Sequence, residues 1–430
     1  MLKNDYFGNN KVKMLDNSYN SDFVSNYKSI ISSYLSGDNL HDFDPQAISV
    51  TDYAKVINSK ICNLNQFCKR VFAQRNEIVM PRKFEIYAAR KPENFVEGNE
   101  SIEIQNGPVS IMNFKHLEIL GGSKKIRGFV LRDPLTESIT WEHINYANAG
   151  LTSFLPLEII SSLVKQDVLY KKLTRRQHKG KYIFFGGSSN HAHFIWEFLM
   201  RMPLIEQMCT EKNIRLAVTI DSKQLVERWF DLLGYPKDNL YFFSGDEINY
   251  FEEISIISCL FANNNGLYSI SPESLFEIRR RALRNVEMYS KSRNKVYICR
   301  SDANHRKMTN EDDFISYLSK NGFDILTLSD IPLDKQINAM ANARVVVSPV
   351  GAGSAMAMFA PADAVVIEIA SRELFGGYNG IISGLLLNQS FYRVISDIKG
   401  ENMNDVSLRE DFIGDLQALK NTLIHNGVEG

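Results

Sequence analysis

The sequence predicts an α/β protein built from two doubly wound, Rossmann-like parallel-sheet units, and three observations predict it. First, short β-branched and aromatic runs alternate with amphipathic runs of helical period between residues 181 and 290. Second, the alternation stops at 285–295 (NVEMYSKSRNK) and restarts immediately afterwards. Strands alternating with short helices read as βαβ units, whose strands lie parallel. Third, 430 residues with 44% hydrophobic and 23% charged side chains supply the core that two or three domains need.

In chain order, residues 1–75 read as a polar, helical extension, through segments such as SNYKSIISSYL. From 76 to about 150 the runs FEIYAA, VSIMNF, KHLEIL, IRGFVL and SITWEHI read as strands between Gly, Pro and Asn breaks. KYIFFGG is a strand, HFIWEFLMRMPLIEQM a helix, RLAVTI a strand and QLVERWFDLLG a helix closed by glycine. YFF and EISIISCLF are strands, and SPESLFEIRRRALRNV is a helix opened by Ser271-Pro272. After the joint, KVYICR, FDILTL, RVVVSPV and DAVVIEIA are strands; NEDDFISYLSKNG, PLDKQINAMANA and GSAMAMFA are helices. The domains are therefore 1–75, 76–290, 291–400 and a C-terminal helix within 401–430, expected to pack back on the first unit.

Net charge is −1, which gives no bulk attraction to nucleic acid. The start, MLKNDYFGNNKVKMLDNSYN, lacks the apolar core of a signal peptide, and no run reaches the ~18 to 20 apolar residues of a spanning helix. Cys62, Cys68, Cys209, Cys259 and Cys299 are scattered and odd in number, as expected of a reducing cytoplasm. The basic run KKLTRRQHKGK, 171–181, reads as a solvated loop before a strand; the second reading is peripheral contact with anionic lipid.

Three stretches carry chemistry. In VVVSPVGAGSAMAMFAP, 345–361, a strand feeds a helix through Gly351, Ala352, Gly353 and Ser354. Ligands in open α/β sheets sit beyond the carboxyl ends of strands, and glycines with free helix N–H groups suit a phosphate. A tight turn with small packing residues explains the glycines equally well. A P-loop would need Gly-Lys-Ser/Thr, and a dinucleotide fingerprint would need Gly or Ala where Met356 stands. Glu368, ending the next strand, could imitate a ribose-binding acid.

The second stretch is the helix after Ser188. Asn190, His193, Glu197 and Arg201 follow spacings of three, four and four. At ~100° per residue they fall within about 80° of one another, beside an apolar face of Phe194, Phe198, Leu199, Met202 and Ile205. An ion-pair ladder is one reading. The other is a cleft wall in which His193 is a base partnered by Glu197. His191-Ala192-His193 does not make a metal pair, because residues two apart on a helix face different ways; no metal site is expected.

The third stretch is YICRSDANHRKMTNEDDF, 297–314. Arg300 ends a strand, Arg306 lies in the following loop, and Asn310 with Glu311 opens a helix. Two arginines at the carboxyl edge of a sheet can neutralise a diphosphate without a metal; a solvated loop is the alternative for Arg306.

Taken in order, these motifs resemble glycosyltransferase family 61 over roughly residues 180–395. The family's Asn-x-x-His-x-x-x-Glu-x-x-x-Arg is matched by Asn190, His193, Glu197 and Arg201. Its strand Arg, loop Arg and Asn-Glu are matched by Arg300, Arg306, Asn310 and Glu311. Its Gly-Ala-Gly turn, Phe-x-Pro step and strand-ending Glu are matched by Gly351–Gly353, Phe359–Pro361 and Glu368. The resemblance implies a GT-B-like architecture of two units facing a cleft. It implies an inverting transfer from a nucleotide-sugar, most often a UDP-sugar, with no obligatory metal or other cofactor. The implied acceptor is a glycan or lipid-linked glycan in bacterial capsule or lipopolysaccharide synthesis, with the enzyme in the cytoplasm or peripheral at the inner membrane. Val350 stands where the family has His, and Met356 where it often has Asn. Both strip polar groups from the loop, which leaves a non-catalytic glycan- or partner-binding protein as the alternative. A metal-dependent transferase of the other common architecture would need Asp-x-Asp after a hydrophobic strand; Asp42-Phe43-Asp44 lies instead in the polar extension.

Overall fold

The computed structural model describes residues 71–78, 82–89, 95–102, 105–123, 129–132, 134, 139–140, 173–208, 213–257, 261–264, 267–270, 272–286, 294–303, 306–371, 387, 389–398 and 411–428. The helices expected before residue 71, Asp42-Phe43-Asp44 and the joint at 287–293 lie outside the described residues.

The first sheet contains β1 (Val71–Ile78), β4 (Gln105–Gly121), β5 (Phe129–Arg132), β6 (Ile139–Thr140), β7 (Arg175–Gly186), β8 (Ile214–Thr219), β9 (Leu240–Phe243) and β10 (Ile248–Ile257). Two hairpins, β2 (Arg82–Ala89) with β3 (Phe95–Ile102) and β11 (Phe261–Asn264) with β12 (Leu267–Ile270), stand apart from it. Its order is β6-β5-β4-β10-β7-β8-β9, with β1 on β4. Strands β10, β7, β8 and β9 are parallel, whereas β1, β4, β5 and β6 pair antiparallel. The first unit is thus a mixed sheet and only partly the doubly wound one expected. VSIMNF and KHLEIL fuse into the single strand β4, and its pairing with β1 draws Val71 into a strand inside the stretch read as helical. Cross-strand pairing here overrides local propensity.

The second sheet is the doubly wound unit the alternation predicts. Strands β13 (Asn294–Cys299), β14 (Phe323–Thr327), β15 (Ala343–Pro349), β16 (Val365–Ser371) and β17 (Ser390–Ile398) lie parallel in the order β14-β13-β15-β16-β17, and β18 (Phe412–Ile413) closes the edge antiparallel. The chain leaves β13 for β14 on one side and returns to β15 on the other. The carboxyl ends of β13 and β15 therefore flank a topological switch point, where open sheets form ligand crevices.

The helices are α1 (191–208), α2 (Lys223–Leu233), α3 (Pro272–Ala282), α4 (Glu311–Lys320), α5 (Leu333–Ala341) and α6 (Leu416–His425), and the helix read in GSAMAMFA is a 3-10 helix at Ala352–Phe359. Period-2 alternation in the second sheet sorts its side chains onto two faces. Tyr297, Val345, Val347 and Ile367 pack with Phe314 of α4 and Leu419 of α6. Val296, Ile298, Val346 and Val366 face the other way and join one continuous core with the first unit, through Trp229, Met358 and Phe359. Helix α6 lies against β17 and also reaches β2.

Candidate functional site

The polar helix α1 is not one regular helix. An α turn at His191–His193 passes into a π turn at Phe194–Phe198, a 3-10 turn at Leu199–Arg201 and an α segment at Met202–Met208. Pro203 has no N–H to give the Leu199 carbonyl, which accepts from Met202 instead, and that tightens the turn. Asn190 caps the start: its side-chain oxygen accepts from the N–H groups of Ala192 (3.0 Å) and His193 (3.3 Å).

One turn on, His193 Nδ1 and Glu197 Oε1 are 2.6 Å apart. The His193 side chain is 31% exposed and Glu197 only 1%, so the carboxylate stands behind the imidazole. Arg201 is fully buried, its Nη1 donating to the Phe185 carbonyl at 3.4 Å and its guanidinium 5.2 Å from the Phe198 ring centroid. The four residues are therefore split by depth: Asn190 at the surface, His193 half-buried, Glu197 and Arg201 in the core.

At the switch point, Arg300 follows β13 and Gly351 follows β15. The Arg300 guanidinium lies where a Cβ on residue 351 would be. Gly351 has φ 169°, an extended conformation open to any residue, so this close approach is what requires glycine. Burial, and then the charge of nearby Arg306, push the Arg300 guanidinium below its usual pKa. Ser354 is buried and its hydroxyl donates to the Gly351 carbonyl at 2.8 Å, holding the turn closed. Gly353 packs against Ile298 and Leu328.

The two constellations meet. The first turn of α1 packs on the 3-10 helix that follows Gly351. Trp229 of α2 stacks on Phe359 (centroids 5.8 Å apart, planes at 29°), and His191 meets Trp229 edge-on at 5.7 Å. Arg279 of α3 donates to the Met358 carbonyl at 2.5 Å. His191, weighed in the sequence only as a metal ligand, is thus part of this junction. Its imidazole is pushed down to about 4 by burial and then by Arg228. Its Nε2, like Trp229 Nε1, is buried without a hydrogen-bond partner among the described residues. Phe359 belongs to the Phe-x-Pro step read in the sequence, whereas no sequence signal separates Trp229 from an ordinary core aromatic.

Residues 191–367 match the sequence model of the family Glycosyltransferase 61. The match covers less than half of the chain. It runs from the first turn of α1 to β16, so both constellations lie within it. No curated protein matches the chain. Among solved structures, an iron-containing dodecameric glycosyltransferase, TibC, from enterotoxigenic E. coli H10407 is similar at 15% identity and TM-score 0.26, over 56% of this chain and 70% of that one. The E. coli heptosyltransferase WaaC with ADP is similar at 11% identity and TM-score 0.28, over 59% of this chain and all of that one. At such TM-scores the fold rests on the chain's own strand order.

The remaining residues singled out in the sequence serve as braces. Glu311 Oε1 accepts from the Arg300 N–H and from the Tyr297 hydroxyl, both at 2.8 Å, fixing the end of β13. Burial and this carboxylate raise the Tyr297 hydroxyl far above its usual pKa. Asn310 spends its amide on Gly414, donating to the carbonyl at 2.9 Å and accepting from the N–H at 2.7 Å. Glu368 lies in mid-sheet at 1% exposure, its Oε2 ion-paired with Arg393, the residue opposite it in β17. Its carboxylate is occupied as half of a buried ion pair, which the sequence reading of a ribose-binding acid did not foresee. The basic run 171–181 is also corrected: from Arg175 it is strand β7, with Arg175 near Glu118 (3.7 Å) and Arg176 on Glu247 (2.5 Å).

Proposed function

We propose that the chain transfers a sugar from a nucleotide-sugar to a glycan hydroxyl, in a GT-B-like arrangement, with inversion and without an obligatory metal. The observation that carries the reading is the junction itself. It seats the His193–Glu197 dyad on one unit and the Arg300–Gly351 turn on the other, packed through the 3-10 helix. The donor diphosphate would lie on the turn from Gly351 to Ser354, where the charge of Arg306 acts on Arg300. An anion between them relieves that repulsion and stabilises the departing nucleoside diphosphate. His193 Nε2 would take the acceptor proton while Glu197 holds the ring through Nδ1. The acceptor oxygen then bonds to the anomeric carbon as the bond to the diphosphate breaks on the opposite face. A UDP-sugar is the first donor to try, and a cell-surface glycan or lipid-linked glycan the acceptor class.

The test is nucleoside diphosphate release from a panel of nucleotide-sugars in EDTA, with the wild type and His193→Ala. Release by the wild type that His193→Ala loses supports the reading. Val350, buried where the family carries histidine, favours one second reading, a donor-binding protein without turnover. Nucleotide binding with no release from any donor would establish that reading instead.

A further inference from the structure

Arg306 is one of two described non-glycine residues with a left-handed backbone, φ 57°. A side chain held there needs surrounding structure to over-determine it. That structure comes from about a hundred residues away. The Lys307 N–H donates to Asp411 Oδ1 at 2.7 Å, and the Phe412 N–H to the Lys307 carbonyl at 2.9 Å. The Thr309 N–H donates to the Phe412 carbonyl at 2.8 Å, and Asn310 closes the ladder with its two bonds to Gly414. Gly414 has no room for a side chain, because a Cβ there would run into Met308 and Phe314. Phe412 is fully buried and Asp415 caps α6, accepting from the Ala418 N–H at 2.8 Å. The segment 411–414 is therefore a fixed strap anchored at both ends, and it grips the chain directly after Arg306.

We propose that this strap is a positioning element for the donor diphosphate, with Asp411 the residue that sets Arg306 beside Arg300. The inference rests on the donor reading of the Gly351 turn. Its reasoning is separate, since it starts from the strap and not from the turn. Asp411 accepts from the Lys307 N–H, the first backbone donor after the left-handed residue. Losing that acceptor frees Arg306 to leave the left-handed basin, and its charge moves away from the diphosphate. Because the side chain of Asp411 is exposed, its replacement leaves no buried hole.

The experiment measures the dissociation constant of UDP, or of whichever nucleoside diphosphate binds the wild type, for full-length Asp411→Ala, Asp411→Asn, Arg306→Ala and the double variant Asp411→Ala/Arg306→Ala. Melting temperatures are recorded alongside. Asp411→Ala should weaken binding about 5- to 20-fold, with Asp411→Asn, which keeps an acceptor oxygen, close to wild type. The double variant should bind no worse than Arg306→Ala, because both changes remove the same interaction. Wild-type affinity in Asp411→Ala, or additive losses in the double variant, would overturn the positioning role while leaving the donor reading intact. A wild type that binds no nucleoside diphosphate would overturn both. If Asp411→Ala melts early, binding is measured again well below its melting range, and wild-type affinity there assigns Asp411 to stability alone and also overturns the proposal.

Discussion

Replacing Gly351 by alanine puts one methyl group where the Arg300 guanidinium now lies. The backbone adds nothing to the penalty, because φ 169° is as open to alanine as to glycine. The cost falls on Arg300, which must swing away from the turn. One charge-assisted hydrogen bond to an ionised group contributes about 1.5–3 kcal/mol, so donor affinity should fall roughly 10- to 150-fold. Gly353 supplies the control in the same loop. A Cβ there meets Ile298 Cγ2 at 3.1 Å and Leu328 Cδ1 at 3.3 Å, a tight contact with apolar core atoms rather than with Arg300. Gly353→Ala should therefore cost about 1–3 kcal/mol of stability yet leave nucleotide affinity nearly unchanged. Isothermal titration with the nucleoside diphosphate, beside thermal melts, separates the two. A folded Gly351→Ala that binds as the wild type does would refute the argument that Arg300 and the turn form one anion site.

Three further expectations follow from the same geometry. His193→Ala should lower turnover about 10²- to 10⁴-fold with the melting temperature preserved; retention of most turnover would remove His193 as the base. Arg393→Met leaves Glu368 buried without its cation and should cost about 3–5 kcal/mol in a urea melt, and a loss below 1 kcal/mol would contradict a tightly buried pair. His191 is depressed to about 4 in the folded chain against 6.5 unfolded, so below 6.5 the unfolded chain takes up the proton first. Its contribution is complete above pH 6.5 and is lost toward pH 4, by up to about 3 kcal/mol; His191→Asn should flatten the fall of melting temperature over that window, and parallel curves would contradict it.

Much of the second unit was legible in the sequence. RVVVSPV and DAVVIEIA are β-branched runs buried on both faces, and Gly351 and Arg300 both follow strand ends, so a parallel sheet brings them to one edge. What the sequence hides is whatever depends on partners far along the chain. Glu368 looks like a strand-ending acid until Arg393, 25 residues on, is seen opposite it. Asn310 looks like a helix cap until its amide is found on Gly414, 104 residues away. The π turn at Phe194–Phe198 is hidden for a different reason: a regular period of ~100° fits the same residues, and only Pro203 signals a break. The mixed first sheet escaped because VSIMNF and KHLEIL read as two strands, and only pairing with β1 and β10 makes them one.

The central claim is that the Arg300–Gly351 turn holds a nucleoside diphosphate without a metal. Thermal shift of the purified chain with UDP, GDP, ADP, CMP and NAD, with and without EDTA, tests it most directly, because a ligand of the folded state raises its melting temperature by mass action. The account predicts stabilisation by a nucleoside diphosphate, UDP first, that survives EDTA and disappears in Gly351→Ala. No shift from any nucleotide at millimolar concentration, or a shift abolished by EDTA, would contradict it.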